Sequence, residues 1–136
     1  MVIVLRKAEL DTIVQHCQDS FPIEACGILL GTKEDDGNIV TIVFPTDNIL
    51  RSETEYEINP QEQLDVFMKA DELSLEVVGY YHSHPYWKAQ PSGTDKSRAN
   101  QLNCSYIIYS NMDGEVRSFH WDGFEFRAEE LIVSEG

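Results

Sequence analysis

Apolar side chains recur along this chain in two rhythms, one of two residues and one of three to four, and the switching between them outlines its elements. Residues 2–5 read as a short strand, and Leu10, Ile13, Val14 and Cys17 follow at the spacing of an amphipathic helix that Pro22 closes. Residues 24–30 form a nearly continuous apolar run that reads as a buried strand. Asp35-Asp36-Gly37-Asn38 then supply the turn that sends residues 39–44 back beside it as a hairpin. Alternation over residues 53–58 predicts another short strand. Asn59, Pro60 and Glu62 are a helix cap, a first-turn proline and an early acid. The helix they open carries Leu64, Phe67 and Met68 on one face, expected to pack against a sheet. Residues 75–81, rich in Val and Tyr, read as a central strand that runs into His82-Ser83-His84 and must end at Pro85. A third helix is predicted over 94–102. Strands at 106–109, 116–121 and 124–126 follow, joined by Asp113-Gly114 and Asp122-Gly123 turns. Helices interleaved with strands and followed by a terminal meander predict an α/β fold: a mixed β-sheet sandwiched by helices, neither an all-β barrel nor a bundle. No repeat, linker or low-complexity tract interrupts it.

The length of 136 residues suits one domain with one sizeable core, spanning 1–136, and 42% apolar residues is the composition of a folded chain. Charge narrows the partners. With 24 acidic against 10 basic residues the net charge is −14, which argues against nucleic acid or an anionic membrane and leaves protein partners open. The opening Met-Val-Ile-Val-Leu-Arg-Lys stretch resembles neither a signal peptide nor a membrane span, so a cytoplasmic location is expected. Cys17, Cys26 and Cys104 are odd in number and never spaced Cys-x-x-Cys; they are expected to be reduced core residues.

The chemistry concentrates where the central strand runs out. A period of two aims the His82 and His84 imidazoles to one side while Ser83 faces away. Ten residues separate His84 from Asp95, across a loop with Pro85, Pro91 and Gly93, and Asp95 falls in the first turn of the predicted third helix. Two imidazoles and a carboxylate make a catalytic zinc set, because three protein ligands leave a fourth tetrahedral position for water. Hydrolysis also needs a base, and Glu24, which opens the apolar strand after Pro22, is the candidate, although spacing alone does not single it out. Ser92, three residues before Asp95, is a candidate oxyanion donor or, equally in chemical character, a helix cap. Tyr86 and Trp87 follow the histidines and are candidates to pack on a substrate or to anchor their loop. His16 and His120 have no second ligand at metal spacing and are expected to be structural.

Pro22-x-Glu24 with Cys26-Gly27, then His82-Ser83-His84-Pro85, then Pro91-Ser92-x-x-Asp95 together resemble the signature of the JAMM (MPN+) zinc metalloproteases. The resemblance covers almost the whole chain. It implies a cytidine-deaminase-like sandwich, one Zn2+ per chain on His82, His84 and Asp95, Glu24 as base and Ser92 as oxyanion donor. It further implies a peptidase or isopeptidase that cleaves after the C-terminal glycines of a ubiquitin-like or sulfur-carrier protein, in the manner of the compact prokaryotic members. An extended Gly-Gly tail would bind by strand addition, and segment 48–58 is a candidate receiving edge. A catalytically inactive MPN scaffold is the alternative, disfavoured by the complete ligand set; a base deaminase lacks its His-x-Glu and Pro-Cys-x-x-Cys pattern here.

Overall fold

A computed structural model describes residues 1–135, in the order β1 (Val2–Arg6), α1 (Lys7–Ser20), β2 (Cys26–Glu34), β3 (Gly37–Thr46), α2 (Pro60–Leu73), β4 (Glu76–His84), α3 (Gly93–Arg98), β5 (Ser105–Ser110), β6 (Val116–Trp121) and β7 (Phe126–Ser134). The strands form one mixed sheet ordered β1-β3-β2-β4-β5-β6-β7. β1 also pairs in parallel with β7, so the two outer strands meet. β4 and β5 are parallel, and their crossover carries α3.

β2 is apolar on both sides because both sides are covered. Leu29 packs with Ile13 and Cys17 of α1, whereas Ile28 and Leu30 pack with Val66 and Ala70 of α2. The predicted mixed sheet with helices on its faces is therefore what the chain builds. In β4 the pairing with β2 skips Val78, a bulge that turns Val78 toward the α1 side. Beyond it, Tyr81 packs on the α1 side and Tyr80 on the α2 side, so the period of two carries His82 and His84 to the side of Tyr80. Gly27 sits where a Cβ would overlap the Tyr81 ring, at 2.1 Å from its nearest carbon. Gly114 and Gly123 take the positive φ angles, 75° and 93°, that their turns require. All three cysteines are free and buried, as expected.

Several expectations fail for tertiary reasons. Residues 53–58 are not a strand: segment 48–58 is an irregular loop with a single bridge between Asn48 and Ile58. Its alternation finds no edge to pair with, because β1 and β7 have joined. It is therefore not an edge strand in this structure. Leu64, Phe67 and Met68 face outward, at 52, 37 and 61% exposure, and α2 buries Val66 and Ala70 instead. The small Ala70 and Val66 suit a close approach to the sheet, and the Asn59 cap that opens α2 forms as predicted, its side chain accepting from the Gln61 and Glu62 amides. α3 stops at Arg98, short of residue 102, because Ala99 is extended. The last strand is longer than 124–126 and starts later, running from Phe126 to Ser134 against both β6 and β1.

Candidate metal centre

At the carboxyl end of β4, where the chain leaves for its crossover, three side chains converge. His82 Nε2 and His84 Nε2 stand 3.2 Å apart, and each lies 3.1 Å from Asp95 Oδ2. The two imidazoles share a face because they are two residues apart on a strand. Asp95 is aimed by a capping box: Ser92 Oγ accepts from the Asp95 amide at 3.1 Å, and Asp95 Oδ2 accepts from the Ser92 amide at 2.9 Å. Both histidines are buried and Asp95 is partly so.

The triangle fits a shared cation. His84 Nδ1 lies 2.8 Å from the Lys88 carbonyl, which can only accept, so Nδ1 carries the proton and Nε2 presents a lone pair. A lone pair and a carboxylate at 3.1 Å repel unless a cation or an extra proton lies between them. Ligand atoms around one tetrahedral zinc, at about 2.0–2.1 Å each, stand roughly 3.3 Å apart, close to the spacing here. Burial alone would raise the Asp95 carboxyl. With ring protons facing it, His82 and His84 together with the Ser92 amide outweigh burial and hold that carboxyl well below the usual carboxylate range, and a cation in place of those protons would act in the same direction. The residues present can thus hold a metal, and among the described residues this is the group of three or more His, Cys, Asp or Glu that does so.

Glu24 reaches this side of the sheet through strand register. β2 pairs with β4 as Cys26 with His82, and past the end of β2 the Ser83 amide donates to the Ala25 carbonyl while the Ala25 amide donates to Ser83 Oγ. Glu24 stands one residue beyond that pairing, and its carboxyl feels the charges of Asp95, Glu55 and Arg98. Glu24 precedes the strand instead of opening it, since the β2 ladder starts at Cys26. Its side chain is buried, with Oε1 bonded to no protein atom, and burial, followed by the charges of Asp95 and Glu55, pushes its carboxyl up to about 9. A cation held by the triangle would act in the opposite direction.

Three residues at this site were not singled out one by one in the sequence. Tyr56 stacks on the His82 ring, centroid to centroid 4.7 Å, and Arg98 of α3 donates to the Tyr56 carbonyl at 2.7 Å. Asn48 bonds the Glu24 carbonyl. Tyr56, His82, Asp95 and Arg98 also line a cavity of about 500 Å³ that extends toward Tyr106 and Phe126. On the other flank Tyr86 and Trp87 are exposed, so they are not buried anchors; Phe21 meets Tyr86 edge-on and Trp87 tilts against His84. His16 and His120 stand apart: His16 Nδ1 bonds the Tyr81 hydroxyl at 2.6 Å, and His120 Nδ1 lies 4.0 Å from Glu129 Oε1.

Comparison with known proteins follows the same lines. The family model for prokaryotic homologs of the JAB domain matches residues 6–122. A desampylase of Haloferax volcanii is 34% identical over 129 residues, covering 91% of this chain and 89% of that one. A CysO-cysteine peptidase of Mycobacterium tuberculosis is 34% identical over 121 residues, covering 87% and 82%. A solution structure of a protein from Desulfitobacterium hafniense superposes with a TM-score of 0.89 at 31% identity, covering 98% of this chain and 94% of that one.

Proposed function

The chain belongs to the prokaryotic JAB family, the JAMM/MPN+ group its motif resembles, and from that premise we propose that it is a zinc-dependent peptidase or isopeptidase. Its substrate is the bond after the C-terminal glycines of a ubiquitin-like or sulfur-carrier protein. The observation that carries this reading is the closed triangle of His82, His84 and Asp95 at 3.1–3.2 Å, with the buried Glu24 carboxyl near enough to feel the Asp95 charge. Two of its relatives are named as a desampylase and a CysO-cysteine peptidase, which supports a protein tail, or its cysteine adduct, as the target.

His82 and His84 would each offer Nε2, Asp95 would offer an ionised oxygen, and one Zn2+ per chain would complete the set. Zinc, when bound, lowers the pKa of its water to about 7 and polarises a carbonyl. Glu24 takes the proton from the attacking water and delivers it to the leaving nitrogen, a transfer that needs a carboxylate able to hold a proton in a dry site. Ser92, whose Oγ accepts from the Asp95 amide, keeps its own hydrogen free to donate to the oxygen that becomes negative. The Lys88 carbonyl keeps His84 in the required tautomer. Tyr86 and Trp87, exposed beside the centre, supply apolar surface for the approaching chain.

The test is to incubate the zinc-loaded protein with a ubiquitin-like or sulfur-carrier protein whose Gly-Gly tail bears a C-terminal cysteine or a lysine-linked peptide, and to weigh the products. Release of the group after the second glycine, abolished by chelation, is the expected result. Intact substrate in both forms, with one zinc per chain bound, would sink the reading.

A further inference from the structure

We propose that Asn48 is a positioning residue that fixes Glu24 beside the metal centre; the inference rests on the peptidase reading above and names the part of the chain that aims its base. The Asn48 side chain uses all of its hydrogen-bonding capacity. Nδ2 donates to the Glu24 carbonyl and to the Glu55 carbonyl, each at 3.1 Å. Oδ1 accepts from the Leu50 and Glu57 amides, again at 3.1 Å each. The other polar group of the Glu24 backbone belongs to the same segment, since the Glu24 amide donates to the Ser52 carbonyl at 2.9 Å.

Glu24 lies before the first ladder residue of β2, so its backbone is held by segment 48–58 at both its amide and its carbonyl. Its carboxyl has one oxygen buried without a protein partner. The aim of that oxygen is therefore set by where the backbone stands.

The same segment touches the ligands. Tyr56 stacks on His82, the Tyr56 carbonyl accepts from Arg98 of the helix that bears Asp95, and Glu55 Oε2 lies 3.6 Å from Arg98 Nη2. One loop thus ties together the base, one imidazole and the helix of the carboxylate, and Asn48 is its internal brace. A displacement of about 1 Å at a reacting group is enough to cost roughly a hundredfold in rate, so the brace has kinetic consequences.

Asn48→Asp keeps the shape and the oxygen facing the Leu50 and Glu57 amides, removes both donors, and sets a carboxylate oxygen against two carbonyls. Expected are one zinc per chain as in wild type, a kcat lower by about tenfold to a hundredfold with KM within about twofold, and faster amide exchange at Glu24 while residues 80–84 stay protected. A kcat within about twofold of wild type, unchanged exchange at Glu24, or opening of 80–84 together with loss of zinc would each overturn the proposal. If Asn48→Asp does not fold, the smaller Asn48→Ser is measured against the same outcomes. Should wild type cleave no Gly-Gly tail, the functional reading fails, and exchange at Glu24 with zinc content still decides whether Asn48 holds it.

Discussion

The two halves of the candidate centre are built in different ways. The ligand half is local: His82 and His84 share a face because a strand has period two, and Asp95 is aimed by a capping box that closes within four residues of chain. The half that carries the proposed base is tertiary. Glu24 arrives through the β2–β4 register and is held by a loop that begins more than twenty residues later. If the proposed function holds, a centre divided in this way would lose its metal through one local change, or keep its metal and lose its chemistry through a distant one.

The largest expected effect strikes the ligand half. Asp95→Asn removes the anionic ligand while leaving a side chain able to accept from the Ser92 amide, so α3 keeps most of its cap. Zinc per chain, measured on dialysed protein, should fall well below one and activity should fall to background. Full zinc content in that variant would mean that Asp95 is no ligand. Glu24→Gln strikes the other half: zinc remains at one per chain, and kcat drops by about a hundredfold to ten-thousandfold, the range for removal of a general base. Retained activity would take Glu24 out of the reaction and erase the division between the halves.

Ser92 is where the halves overlap, because its hydroxyl both caps α3 and is the proposed donor to the developing negative oxygen. Two substitutions separate the roles. Ser92→Ala should cost about 1 kcal/mol of stability by loss of the cap and about a hundredfold in kcat, from a donor contribution near 3 kcal/mol. Ser92→Gly should lose the same catalytic factor at only a few tenths of a kcal/mol in stability, since glycine is tolerated at a helix N-cap. Equal losses of rate and stability across both variants would reduce Ser92 to a cap.

The same division explains what could be read beforehand. Strand period, the Pro85 stop and the Ser92/Asp95 box are carried by adjacent residues, so the metal triangle was legible from local pattern. Glu24 was not singled out by spacing, because its place depends on pairing between strands, Cys26 with His82, that lie 56 residues apart in sequence. The bracing roles of Asn48 and Arg98 were not legible because they act on the carbonyls of Glu24, Glu55 and Tyr56, and a carbonyl looks the same in every residue. The alternation at 53–58 and the stripe of Leu64, Phe67 and Met68 were real patterns with the wrong meaning. One found no free sheet edge, and the other lost the core-facing side of α2 to the smaller Val66 and Ala70.

The smallest predicted effect tests whether the base half is as dry as its geometry implies. In metal-free protein the Glu24 carboxyl, pushed up to about 9 by burial and then by the charges of Asp95 and Glu55, keeps its proton at neutral pH, whereas in the unfolded chain it has lost it above its ordinary value of 4.5. The folded state then binds one proton more than the unfolded state between those values. Stability must fall as pH rises through that window, with a slope approaching about 1.4 kcal/mol per pH unit. Asp95 is shifted the other way, so its contribution is complete above its ordinary value of 3.8 and adds no slope there. Thermal unfolding of both proteins without metal, from pH 5.5 to pH 8.5 (roughly the middle of the window), should therefore show the wild-type Tm dropping away from that of the variant, and added zinc should close the gap by favouring the ionised carboxylate. Parallel curves without metal would place the Glu24 carboxyl in water, away from the face that His82 and His84 share.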